Sequence, residues 1–170
     1  MSYSLTSMIR RAAQAKTQRA APKKTWAIAK YGATRLTPAE LEHYIRPGRE
    51  AVEAFRVARS TYAHWLRLCT MVNTGQAIES QGIVRGLAAE LDAAHDALQA
   101  IGDRMDTPDG WKPGALRAEE LHAIQRLVAH HAFQLRNLSR AEHARAYELA
   151  LARVRSAGGQ AVNIKALEAA

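Results

Sequence analysis

At 170 residues with a single cysteine, Cys69, the chain is one ordinary domain in length: enough to bury a core without a staple, and unable to form an intramolecular disulfide or a cysteine-based zinc site. Its 24 Lys and Arg exceed its 16 Asp and Glu, for a net charge of +8, and no apolar run reaches the roughly twenty residues of a membrane span or resembles a secretory signal. These counts imply a soluble protein of a reducing compartment, and the Ala-rich composition, with almost no β-branched runs, implies helices and no sheet.

All of the net charge falls in the first quarter. Residues 1–39 carry Arg10, Arg11, Lys16, Arg19, Lys23, Lys24, Lys30 and Arg35 without one acid, whereas the remaining sixteen cations are matched by all sixteen acids. Residues 1–36 therefore read as a basic, partly disordered N-terminal arm and linker. Within them Leu5, Met8, Ile9, Ala12 and Ala13 keep helical spacing, which predicts a short amphipathic helix over Leu5–Lys16 that is marginal by itself. Residues 17–36 read as linker, since Pro22 breaks a helix and Gly32 punctuates the chain.

The run from Lys23 to Tyr31, KKTWAIAKY, interleaves cations with aromatics. Lysines neutralise phosphates while Trp26 or Tyr31 stacks on an exposed base, the combination that single-stranded nucleic acid or RNA calls for. Two other readings fit the same residues: Trp26 and Ile28 anchoring the linker on the body, and, for the first twenty residues, the acid-free composition of an organellar transit peptide.

Residues 37–159 read as an antiparallel bundle of three to four main helices, so the fold class is all-α. Thr37, Pro38 and Glu40 form a capping box that opens a short helix, which Pro47 and Gly48 interrupt. The spacing of Ala51, Ala54, Phe55, Ala58, Tyr62, Trp65, Leu66, Cys69 and Val72 then predicts one long helix, ending near Asn73–Gly75 or extending to Gln81 before Gly82. Val84, Leu87, Leu91, Ala94, Leu98, Ile101 and Met105 step by three and four, a heptad seam suited to packing along another helix or a second copy of the chain. Turn chemistry at Pro108, Asp109-Gly110 and Pro113-Gly114 makes Asp106–Gly114 a loop. A fourth helix follows on Leu121, Ile124, Val128, His131, Leu135 and Leu138. Ser139 and Glu142 cap a fifth, with Ala144, Tyr147, Leu151 and Val154 inward and Gly158-Gly159 as its stop; residues 160–170 read as a tail.

The chain offers little for catalysis. Glu40 with His43, Asp92 with His95, and Glu119 with His122 have the i, i+3 spacing of di-iron bundles, but His95 and His122 each follow a seam residue and so fall on a flank, which argues against a metal site. His131 occupies a seam position and reads as a core histidine with one ring nitrogen bonded to a neighbour. Cys69 lies on an apolar face, where a thiol is inert. With no nucleophile elbow, phosphate loop or dinucleotide fingerprint, a non-enzyme without cofactor is expected.

Met71–Leu87, MVNTGQAIESQGIVRGL, and His131–Ala146, HAFQLRNLSRAEHARA, resemble a group of small helical proteins of proteobacteria, often found near prophages and other mobile elements, that has no established activity. The resemblance spans roughly Thr37 to Gly159. It implies a bacterial cytoplasm and a mobile-element accessory protein, whose usual targets are nucleic acid or a host protein complex. Two classes of partner are thus expected: DNA or RNA through the arm, or a protein through the bundle.

Overall fold

The computed structural model describes residues 25–156, which are predominantly helical and fall into two units that divide between Thr34 and Arg35. The predicted helix at Leu5–Lys16, the Gly158-Gly159 stop and the C-terminal tail lie outside the described residues. In the first unit residues 25–32 form a helix, α1, where linker was expected. Its Trp26-Ala27-Ile28-Ala29-Lys30 core contains no breaker, and Thr34 closes it by donating from its backbone N–H and its hydroxyl to the Tyr31 carbonyl at 3.1 and 2.7 Å.

The second unit begins with α2, Pro38–Arg56. The expected capping box forms: the Glu40 N–H donates to Thr37 Oγ1 at 3.3 Å, and the Thr37 N–H donates to Glu40 Oε2 at 2.8 Å. The expected interruption at Pro47 and Gly48 does not occur; both sit inside the helix. Proline there costs one backbone hydrogen bond, while Gly48 is buried where a Cβ would stand 2.4 Å from Met71 Sδ and 3.3 Å from a Val128 methyl. Packing on two neighbouring helices holds the segment helical against its local preference.

The break lies ten residues later. The Arg59 N–H donates to the Ala54 carbonyl and the Ala58 N–H to the Phe55 carbonyl, a Schellman stop whose left-handed residue is Ala58 at φ 51°. Thr61 then caps α3, Tyr62–Gln81, in a box whose fourth member is His64: the Thr61 N–H donates to His64 Nδ1 at 3.1 Å. The predicted single helix through Phe55 and Tyr62 is therefore two helices. Alanine at the left-handed position and histidine in the box conceal a boundary that glycine and glutamate would have announced.

Helix α3 runs to Gln81 and stops at Gly82, φ 75°. It packs on α2, α4, α5 and α6, and every residue from Met71 to Gly75 is buried. Helix α4, Ala88–Met105, carries the expected seam, with Leu91, Ala94, Leu98, Ile101 and Met105 buried. It starts at Ala88 because Gly86, at φ 95°, makes a turn in which the Glu79 carboxylate accepts the Gly86 N–H at 2.7 Å.

No sheet was expected, yet Asp106–Thr107 (β1) and Gly110–Trp111 (β2) pair as a minimal antiparallel ribbon around Pro108-Asp109. The ribbon delivers Trp111 to an aromatic cluster with Phe55, Tyr62 and Trp65, at centroid distances of 6.3, 5.9 and 6.1 Å. Trp65 donates from Nε1 to the Leu98 carbonyl at 2.8 Å, and a Cβ on Gly102 would meet its ring at 2.9 Å.

Helix α5, Ala118–Asn137, buries Ile124, Val128, His131 and Leu135 as expected, and also Glu120, Leu127 and Gln134. Helix α6, Arg140–Ser156, opens with the expected Ser139–Glu142 box, in which the Ser139 N–H donates to Glu142 Oε2 at 2.7 Å. Its inward face differs from the expected one. His143, Ala146 and Ala150 are buried, whereas Ala144 and Tyr147 are exposed and Leu151 and Val154 only half-buried. Small side chains let α6 approach α3, and the larger residues turn outward.

Replacing Ala58 by Gly relieves a left-handed backbone, so A58G is expected to stabilise the protein by roughly 0.5–1 kcal/mol in urea unfolding. Replacing Gly102 by Ala improves helix propensity but drives a methyl into the Trp65 ring; G102A is expected to destabilise by about 1–2 kcal/mol, the sign opposite to propensity.

Candidate functional site

Of the ten residues expected to contact nucleic acid, Trp26, Lys30, Tyr31 and Arg35 are described; Arg10, Arg11, Lys16, Arg19, Lys23 and Lys24 lie outside the described residues. In α1 the Lys30 ammonium sits 5.2 Å from the centroid of the Trp26 ring, one helical turn away, a cation–π contact. Trp26, Ile28 and Tyr31 are 66%, 65% and 61% exposed. The helical period turns Ile28 and Tyr31 to a different side from Trp26 and Lys30, so the aromatics do not form one stripe. Arg35 belongs with the second unit: its carbonyl accepts from the Arg140 guanidinium and its backbone bridges Ser139.

Arg35 also lines a groove of about 420 Å³ between α2, α5 and the Arg35-Leu36 segment. Ile45 and Leu135, both fully buried, and Ala132 form its floor; Leu36, Pro38 and Leu41 form its sides. Arg35, Arg49, Arg136 and Glu42 stand at the rim. Arg49 donates to both oxygens of Glu42 at 3.0 and 2.9 Å. Arg49 and Arg136 were not among the expected site residues, because each alone is an ordinary solvent-face cation. Only the crossing of α2 and α5 sets them beside Arg35.

The groove is braced by Glu40, half of the capping box, whose two oxygens also accept from Arg140. The Thr37 hydroxyl and N–H, followed by Arg140, hold the Glu40 carboxyl down to about 2. Glu40 is thus engaged in structure and forms no pair with His43. A buried carboxylate, Glu120, accepts two hydrogen bonds from Arg104 at 2.8 and 2.7 Å, which hold its pKa below the usual carboxylate range.

The histidines divide by environment. His131 is buried, as expected, and its Nδ1 has no hydrogen-bond partner, while the Gln134 side chain lies against the ring. Burial, then the nearby His143, lowers its pKa to about 4, partly opposed by Gln134. His143, itself lowered by burial, stacks edge-on against Tyr44 at 4.6 Å. Gln134 donates from Nε2 to the Gly75 carbonyl at 3.0 Å, tying α5 to the centre of α3. His95, expected on a flank, is only 6% exposed, because α4 is covered on more than its seam, and burial lowers its pKa. His122 and Glu119 are exposed. Asp92 accepts from Gln76 Nε2 at 3.3 Å. Among the described residues, no three His, Cys, Asp or Glu side chains converge as a metal-binding group. Burial pushes the Cys69 thiol up to about 12, so it is not a thiolate near neutral pH. No helix among the described residues is long and apolar enough to cross a membrane.

The buried histidines set the acid limb of stability. An unfolded histidine takes up its proton near 6.5, whereas native His131 does so only near 4, so over that interval the unfolded chain binds more protons and stability falls as pH falls. His131 alone is expected to cost on the order of 3 kcal/mol between pH 6.5 and 4, and His143 and His95 act in the same direction. Urea unfolding across this range is expected to show the slope, and H131L to flatten it.

No family model matches this sequence, and comparison with curated proteins and with solved structures returns no match.

Proposed function

We propose that the chain is a non-enzymatic accessory protein that contacts DNA or RNA through its basic N-terminal arm. The observation that carries this reading is the charge partition: eight cations and no acid in residues 1–39, against an exact balance thereafter. The exposure of Trp26 beside Lys30 supports it, since an indole with an ammonium on one face keeps the other for a base. In this reading residues 1–36 are the arm, residues 37–159 an antiparallel helical bundle that carries it, and the setting a bacterial cytoplasm.

A second reading, a mobile-element interaction module or inhibitor that docks a host protein complex through the bundle, draws on a different observation. Tyr44, Leu66, Phe133 and Tyr147 are 43%, 41%, 50% and 46% exposed on α2, α3, α5 and α6. A partner captured through these residues and retained after nuclease treatment favours it.

Titrating a fluorescent single-stranded oligonucleotide at increasing salt tests the first reading. If about five arm cations contact phosphate, log K is expected to fall against log salt with a slope of roughly −3.5. Substituting Lys23, Lys24 and Lys30 by Gln is expected to reduce that slope by about 2. A slope that stays unchanged removes the arm from the interface.

A further inference from the structure

We propose that the groove between α2 and α5 binds an aliphatic carboxylate, its chain on the seam between the helices and its head group on Arg35 and Arg136. This site goes beyond the nucleic-acid reading and does not depend on it. Ile45 and Leu135 lie beneath the groove and are closed to solvent, while Leu36 and Leu41 are only half-buried, so the aliphatic surface open to an occupant is theirs. Among the three rim arginines, Arg49 is already engaged by Glu42 in a two-point pair. The Arg35 and Arg136 guanidinium groups have no carboxylate partner among the described residues.

Arg35 is held in place from behind. Arg140 donates to its carbonyl, and Arg140 is itself fastened to Glu40. Arg136 stands in the last turn of α5, and Arg140 opens α6 after the extended break at Leu138. Two guanidinium groups, one of them on a braced backbone, therefore border an aliphatic strip, which is complementary to a single anionic head joined to an apolar tail. A bare phosphate leaves Leu36 and Leu41 uncovered, and a neutral alkane leaves both cations unpaired. The volume of about 420 Å³ sits at the lower end of the roughly 300–1,000 Å³ of small-molecule sites, which favours a small amphiphile over a docked helix. From Pro38 to Arg49 the α2 wall is about 16 Å long at 1.5 Å per residue, which limits the length of the tail.

The full-length chain is tested by calorimetric titration and thermal unfolding with hexanoate, decanoate and tetradecanoate, each below its micellar concentration, and with decanol and decylammonium as controls. Saturating decanoate is expected to raise Tm by roughly 5 °C, with at least about a tenfold weaker effect of decanol and decylammonium. The variant R35Q/R136Q, altered only at exposed side chains, is expected to keep its helical circular dichroism and unliganded Tm and to lose decanoate affinity about tenfold or more. No Tm shift with any of the carboxylates, an equal shift with decanol, or unchanged affinity in the variant overturns the proposal. So does loss of oligonucleotide binding in R35Q/R136Q with no response of the parent to decanoate, which assigns the arginines to a phosphate-contacting surface. Arm-dependent oligonucleotide binding that survives R35Q/R136Q leaves the nucleic-acid reading standing whichever way decanoate behaves.

Discussion

Helix α3 has no solvent-facing side across its middle. From Met71 to Gly75 every residue is buried, and α2, α4, α5 and α6 all pack on it. A helix enclosed in this way requires small residues where its neighbours cross. Gly48 lets α2 close on Met71, Gly102 lets α4 close on Trp65, and Ala146 and Ala150 form the face of α6. The same constraint explains the local rules that fail. Pro47 is tolerated within α2 because packing at Gly48 outweighs one lost hydrogen bond, and Tyr147 turns outward because the space beside α3 admits alanine.

Enclosure also places polar groups in the interior, where each needs a partner. Thr74 donates to the Thr70 carbonyl at 2.8 Å and Gln134 to the Gly75 carbonyl at 3.0 Å, so part of the core is held by hydrogen bonds between and within helices. Glu120 is 4% exposed and survives as a charge because Arg104 meets it in two-point geometry and the Arg117 N–H donates to it at 2.9 Å. His131 takes the other route, remaining neutral through a lowered pKa. The two solutions differ because a cation reaches Glu120 and no anion reaches His131.

At the opposite end of the unit, Glu40 and Arg140 join the start of α2 to the start of α6 and hold the Arg35 carbonyl. The last cation of the acid-free segment thereby becomes part of the folded unit, beside Arg136 and an aliphatic seam. Cations in this protein consequently serve in two settings. Lys30 is exposed on a short helix against an indole, where solvent screens its charge. Arg35 and Arg136 instead border a groove with apolar sides.

Features written in contiguous residues were legible. The Thr37–Glu40 and Ser139–Glu142 boxes, the seam of α4 and most of the seam of α5 follow from spacing and side-chain chemistry alone, because capping and amphipathicity act within one or two turns of chain. The α2–α3 boundary was not legible: Ala58 fills a left-handed site usually held by glycine, and His64 replaces the usual acid of a capping box. Nor were the burial of His95 and Glu120, the inward face of α6, or the groove arginines. By itself the sequence determined the helical class, the separation of charge and the capped starts of α2 and α6, all set by interactions between near neighbours in the chain. Only the tertiary structure decided which Pro-Gly pair stays helical, which polar groups are enclosed and which arginines share a groove, because those depend on what the other helices place against each residue.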